Sequence, residues 1–251
     1  MKNLIRADMP TRKEVCDTHG EYESKNYLAN IWSRCPACSE DEARGEAERK
    51  AAQERQNKAQ AWQNRLGYSG IPDRFKNRTL AGFEASAGQQ KNALDFAAEY
   101  AKNFEEVMRT GRSAMFLGRP GTGKTHLAVG IGLEVMAKGH TVLFATVMRA
   151  VRRVKDSWSR NDETETQAIA AMTFPDLLIL DEVGIQFGSD FERNIMFDVI
   201  NERYERRKPT LFLSNLNRQE IELFLGERVI DRMREDGGKV IVFDWESHRR
   251  K

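Results

Sequence analysis

The chain has no excess of either charge. Lys and Arg total 40 against 38 Asp and Glu, so no global field selects a partner, and any nucleic-acid surface must be local. No apolar run comes near the roughly 18 residues of a membrane span, and the start, Met1-Lys2-Asn3-Leu4-Ile5-Arg6, lacks the apolar stretch of a secretory leader. The expectation is a soluble cytoplasmic protein with no membrane partner. Cysteine is scarce: the three copies are an odd number and all precede residue 39, which argues against a disulfide framework and requires another explanation.

That explanation lies in their spacing. Cys16-Asp17-Thr18-His19 and Cys35-Pro36-Ala37-Cys38 form a CxxH…CxxC arrangement. Two-residue spacers turn both side chains of a pair toward one point, and two such pairs make the tetrahedral Cys₃His set that structural Zn²⁺ prefers. The segment between them has Tyr22, Tyr27, Ile31 and Trp32 but few other apolar residues, too few for a core without the metal. Four protein ligands leave no open position, so the metal would be structural.

From Ser39 to Leu66 there is no proline and a single glycine, Gly45, among Glu, Arg, Lys, Ala and Gln. These residues favour helix, and with almost no apolar stripe before Trp62 the helix is expected to be solvated, either as a spacer or as a grip for a partner. Gly67, Gly70 and Pro72 are expected to break it. The chain thus divides on paper into a zinc-binding element over 1–38, a charged helix and linker over 39–69, and a main domain over 70–251.

The main domain is organised around Gly118-Arg119-Pro120-Gly121-Thr122-Gly123-Lys124-Thr125, which fits GxxxxGK[ST] at every position. Ser113–Leu117 before it reads as a buried strand and His126 onward as a helix, the setting in which backbone N–H groups and a helix dipole converge on phosphate. Gly118, Pro120, Gly121, Thr122, Gly123 and His126 belong to this nucleotide site. Lys124 would reach the β/γ-phosphates, and the Thr125 hydroxyl would hold Mg²⁺. A helix is expected over Asn92–Met108 and a strand over Thr141–Val147. Helices are expected over Met148–Arg160, Glu163–Met172 and Asp190–Arg207.

Leu177-Leu178-Ile179-Leu180 is an apolar run ending in Asp181-Glu182, which reads as a parallel-sheet strand with acids at its carboxyl end. After a P-loop this is a Walker B pattern. Asp181 would position Mg²⁺, and Glu182 would polarise the water that attacks the γ-phosphate. Pro209–Asn215 reads as another strand. Asn215 is placed either to orient that water and sense the phosphate or to serve as a turn or cap residue before Arg218.

Walker A, Walker B and a strand ending in Asn follow one another in the order of AAA+ ATPases. Gly123-Lys124-Thr125-His126-Leu127-Ala128 resembles the P-loop of bacterial initiators and helicase loaders, and Leu225–Arg234 resembles the LGERVxDRMR segment of DnaC-type helicase loaders. Phe243–Arg249 is similar to that family's aromatic close. The resemblance covers residues 70–251 and implies an α/β AAA+ core, a parallel sheet flanked by helices, hydrolysing ATP with Mg²⁺. It assigns Arg232 to the arginine finger and Arg249 to the sensor-2 arginine.

The family also implies a ring or spiral of subunits, a hexameric replicative DNA helicase as partner, and single-stranded DNA. DNA contacts in related proteins fall on the helical insert, here Met148–Arg160, where Arg152, Arg153 and Lys155 could track phosphates and Trp158 stack on a base. Residues 1–66 depart from DnaC and look like the zinc-bearing extension of phage and prophage loaders. The alternative from the same motifs is the ATPase that assists an insertion-sequence transposase.

Overall fold

The structure is a computed structural model describing residues 9–28, 31–86, 88–159, 163–184 and 190–248. It divides into two compact units, Met1–Ala61 and Trp62–Lys251.

The first unit is built on strands that composition did not announce. β1 (Thr11–Cys16) and β2 (Gly20–Leu28) form an antiparallel hairpin with Cys16 opposite Gly20, and the short β3 (Ile31–Trp32) adds to β2. In these strands Ser24 is buried, and its hydroxyl donates to the Ser33 carbonyl at 2.8 Å. Helix α1 (Pro36–Tyr68) follows and is solvated along nearly its whole length, with Leu66 its one buried residue. Gly67 does not break it. The helix continues to Tyr68, and the Ser69 hydroxyl then donates to the Leu66 carbonyl at 2.8 Å as the chain turns away.

In the second unit the expected single helix over Asn92–Met108 is two, α2 (Gly88–Lys102) and α3 (Phe104–Thr110). Asn103, at φ −98° and ψ 28°, leaves the helical region between them. The order then runs β4 (Ala114–Gly118), α4 (Lys124–Ala137), β5 (Val142–Thr146), α5 (Val147–Ser157), α6 (Glu165–Thr173) and β6 (Leu177–Asp181). It closes with α7 (Asp190–Glu205), β7 (Thr210–Ser214), α8 (Arg218–Leu225), α9 (Glu227–Arg234) and β8 (Lys239–Phe243).

The five strands from β4 onward make one parallel sheet in the order β5-β6-β7-β4-β8. Alternate residues feed two cores. Phe116, Ile179, Leu211 and Leu213 pack with α2 and α4, whereas Leu117, Leu178, Leu180 and Phe212 pack with α5 to α9. Burial on both faces explains the unbroken apolar run of β6. Each fully buried Leu or Ile there contributes about 1.5–3 kcal/mol. β7 lies between the P-loop strand β4 and the acid-bearing strand β6, so the carboxyl ends of all three open on one site.

One buried charge pins the sheet's opposite end. Arg203 of α7 is 1% exposed and donates to the carbonyls of Met172 (3.0 Å), Pro175 (2.9 Å) and Pro209 (2.7 Å) and to the Thr210 hydroxyl (3.0 Å). Burial pushes its pKa down to about 9, which leaves it charged at neutral pH. It ties the end of α6 to the entry of β7.

Candidate functional site

A cleft of about 810 Å³ lies over the carboxyl ends of the strands, walled by Gly121, Gly123, Lys124, Thr125 and His126 on one side and Asp181, Glu182 and Asn215 on another. The P-loop glycines are fixed by space as well as conformation. Gly118 has φ +133° and a Cβ there would stand 2.3 Å from the Phe243 carbonyl oxygen. Gly123 has φ +98° and its Cβ would stand 2.6 Å from the Phe83 ring.

Lys124 is buried and its ammonium donates to the carbonyls of Gly118 (2.6 Å) and Arg119 (2.8 Å). Thr122 also donates to Arg119 O, at 2.8 Å. The hydroxyl of Thr125 donates to Asp181 Oδ2 at 3.0 Å, so the two expected Mg²⁺ ligands already face each other. Burial raises the Asp181 carboxyl above its ordinary pKa, although the Glu182 N–H, Thr125 and Lys124 pull the other way. A divalent cation would relieve that penalty by favouring the carboxylate. Glu182 is exposed and sits at φ 62°, an uncommon conformation for a side chain of its size; its N–H donates to Asp181 Oδ1 at 2.7 Å. His126 contacts Thr79 O at 2.8 Å, and burial lowers its pKa.

Asn215 lines the cleft and does not cap α8. Asn217 is the cap, its side chain accepting from the Glu220 N–H while Glu220 returns a bond to the Asn217 N–H. Arg232 lies outside the cleft of its own chain, bonded to Asn201 and 4.9 Å above the Tyr204 ring. Arg249 lies outside the described residues.

Three features of the cleft escaped the sequence reading. The Trp245 indole donates to Thr122 O at 2.9 Å and the His248 N–H to Gly121 O at 3.0 Å, so the segment after β8 braces the P-loop. Arg74 and Arg78 line the cleft. So does Arg149, whose position three residues after a strand end was the available signal.

The α5 surface is only partly available to an anion. Arg153 is paired with Glu163 (2.6 Å), Lys155 with Glu192 (2.5 Å), and the Trp158 indole donates to Glu165 at 2.8 Å. Arg152 is exposed, as is Trp158, whose ring meets Phe191 edge-on at 4.9 Å.

In the first unit, one donor atom from each of Cys16, His19, Cys35 and Cys38 lies within 4.8 Å of the other three. A tetrahedral Zn²⁺ with bonds of about 2.3 Å to sulfur needs sulfurs about 3.8 Å apart, and the donors present fit. His19 turns Nδ1 to the thiols, 3.3 Å from Cys38 Sγ, and Nε2 to Asp41 Oδ2 at 3.0 Å. Hydrogen bonds from the Thr18 and His19 backbones draw the Cys16 thiol down to about 6, while its bond with Cys16 pushes Cys38 up to about 12. A dication is what lets such thiols ionise together. Asp41, three residues beyond Cys38, is the partner the spacing did not identify.

Residues 75–251 match the family of IstB-like ATP binding proteins. The chain is 35% identical over 201 residues to the replicative helicase loader DnaC of Escherichia coli K12, covering 80% of this chain and 81% of that protein. It is 36% identical over 198 residues to the DnaC of Buchnera aphidicola subsp. Baizongia pistaciae, covering 78% and 79%. The crystal structure of the DnaC helicase loader aligns with a TM-score of 0.61 at 25% identity, over 69% of this chain and 100% of that one. Sheet order, P-loop and likeness agree: the chain belongs to the family of IstB-like ATP binding proteins, together with the DnaC helicase loaders.

Proposed function

We propose that the protein is an ATP-dependent loader of the hexameric replicative helicase onto single-stranded DNA. The observation that carries this is the cleft in which the P-loop threonine meets Asp181, on a chain alike over four-fifths of its length to a named helicase loader. In this reading the P-loop amides and Lys124 hold the triphosphate, and Thr125 and Asp181 would hold Mg²⁺, which supplies charge neutralisation at the phosphates. Glu182 polarises the attacking water and Asn215 orients it. Arg249 senses the γ-phosphate in cis.

Arg232 acts in trans, which its place outside its own cleft supports. A residue that must reach a neighbour's phosphate requires assembly into a ring or spiral, and hydrolysis becomes a switch governed by that assembly. Residues 1–38 form a zinc-stabilised element, 39–69 are the charged helix and linker, and 70–251 are the ATPase; the grip on the helicase lies within residues 1–66, with 39–66 either part of it or its spacer. Arg152, Arg153, Lys155 and Trp158 meet DNA. Arg153 and Lys155 exchange their acid partners for phosphates when they do, so DNA binding should weaken steeply with salt.

Steady-state ATP hydrolysis tests the reading. Slow turnover alone, rising with single-stranded DNA and the host helicase together, supports it. The matched family's IstB name favours one alternative, an ATPase that assists a transposase. Stimulation by a transposase and indifference to the helicase would select that alternative.

A further inference from the structure

The basic residues of α5 do not share one face. Arg153 and Lys155 are held by Glu163 and Glu192, whereas Arg149 lines the nucleotide cleft with Asp181, Glu182 and Asn215. Strand register puts it there. Thr146 ends β5 directly beside Asp181 of β6, and its hydroxyl accepts the Arg149 N–H at 3.2 Å, which fixes Arg149 in the first turn of α5 at the acidic end of the cleft. Among the described residues no acid pairs with its guanidinium.

The cleft has a charge problem that Arg149 answers. Asp181 and Glu182 line the cleft at the strand ends, and Lys124 is bonded to the loop's own carbonyls. The other guanidinium groups of the cleft, Arg74 and Arg78, come from the segment before α2, whereas Arg149 comes from the strand end beside Asp181's own strand. A terminal phosphate entering there meets two carboxylates. A guanidinium offers a planar fork that matches phosphate oxygens and stays charged at any working pH.

We propose that Arg149 contacts the terminal phosphate of the nucleotide bound by its own chain, and so makes the cleft prefer a nucleoside triphosphate to a diphosphate. The proposal rests on the nucleotide-binding reading of the cleft. It also sets Arg149 apart from Arg152, Arg153 and Lys155, the cations of α5 assigned to DNA.

The test is a fluorescence titration of the full-length protein, wild type, Arg149→Ala and Arg149→Lys, with Mg²⁺ and fluorescent analogues of ATPγS or ADP. Loss of one charge-assisted contact should weaken ATPγS binding about 10- to 100-fold in R149A, with partial recovery in R149K. ADP affinity should stay within about twofold, which also reports that the variant is folded. Equal loss for both nucleotides, or no loss for either, overturns the proposal. So does a variant that keeps both affinities and loses single-stranded DNA binding instead. If the wild type binds neither nucleotide, the reading of the cleft itself fails, a result separable from all of these.

Discussion

The hydroxyl of Thr125 and the Oδ2 of Asp181 stand 3.0 Å apart although 56 residues separate them in the chain. The contact joins the first turn of α4 to the end of β6 across β7. Removing either group, by Thr125→Ala or Asp181→Asn, should cost Mg²⁺-dependent hydrolysis at least about 100-fold, the several kcal/mol that a phosphate-bound metal supplies. A melting temperature within a few degrees of wild type would accompany that loss. Turnover unchanged in both variants would remove this pair from the site.

Asp41 accepts from His19 Nε2, an arrangement that orients an imidazole whose other nitrogen turns to the three thiols. Asp41→Ala should lower Zn²⁺ affinity about 10- to 100-fold, read by competition with a chromophoric chelator. Cys35→Ser, which removes the buried ligand, should unfold the first unit. Full zinc occupancy in both variants would contradict the assignment.

Arg203 satisfies carbonyls from two connections at once. Arg203→Met leaves those oxygens buried and unpaired and should destabilise the second unit by about 3–5 kcal/mol, a loss of roughly 10 °C in Tm. Urea titration checks it. A change under about 1 kcal/mol would show that the carbonyls find other donors.

Asp176 carries the pH dependence most open to measurement. Burial pushes its carboxyl up, but bonds from Lys208 (2.7 Å) and from the Thr141 N–H and hydroxyl (3.0 Å each) outweigh it, and the net shift is below the ordinary 3.8. A depressed folded-state pKa gives stability that is present above the unfolded value and lost as pH falls toward the folded one. Asp176→Asn should therefore be less stable than wild type at neutral pH, with the difference closing below about pH 4. A constant difference from pH 7 to 3 would mean the carboxylate's charge does not matter there.

The sequence made legible whatever is encoded locally. The P-loop, the apolar run of β6 and the acids after it need only neighbours in the chain, and each falls where spacing puts it. β8 was not legible, because Lys239–Phe243 is an edge strand with a mostly half-exposed pattern and no flanking motif. β1 and β2 were hidden for a related reason: their residues are mostly exposed, so little apolar alternation marks them. Long-range contacts that no motif announces were beyond reach. Trp245 on Thr122 and Arg149 in the cleft with Asp181 depend on strand order, which composition does not carry. Asn215 shows what structure adds, since the cap it competed for belongs to Asn217 two residues later.

The most direct measurement is the mass, by native mass spectrometry, of the species formed when the protein, ATP and the host replicative helicase are mixed, with Lys124→Ala as control. The expected result is a discrete complex of the helicase hexamer with several copies of this chain, and loss of helicase loading onto DNA in the variant. A helicase that remains alone in the mixture would contradict the loader function, and a transposase would become the partner to try.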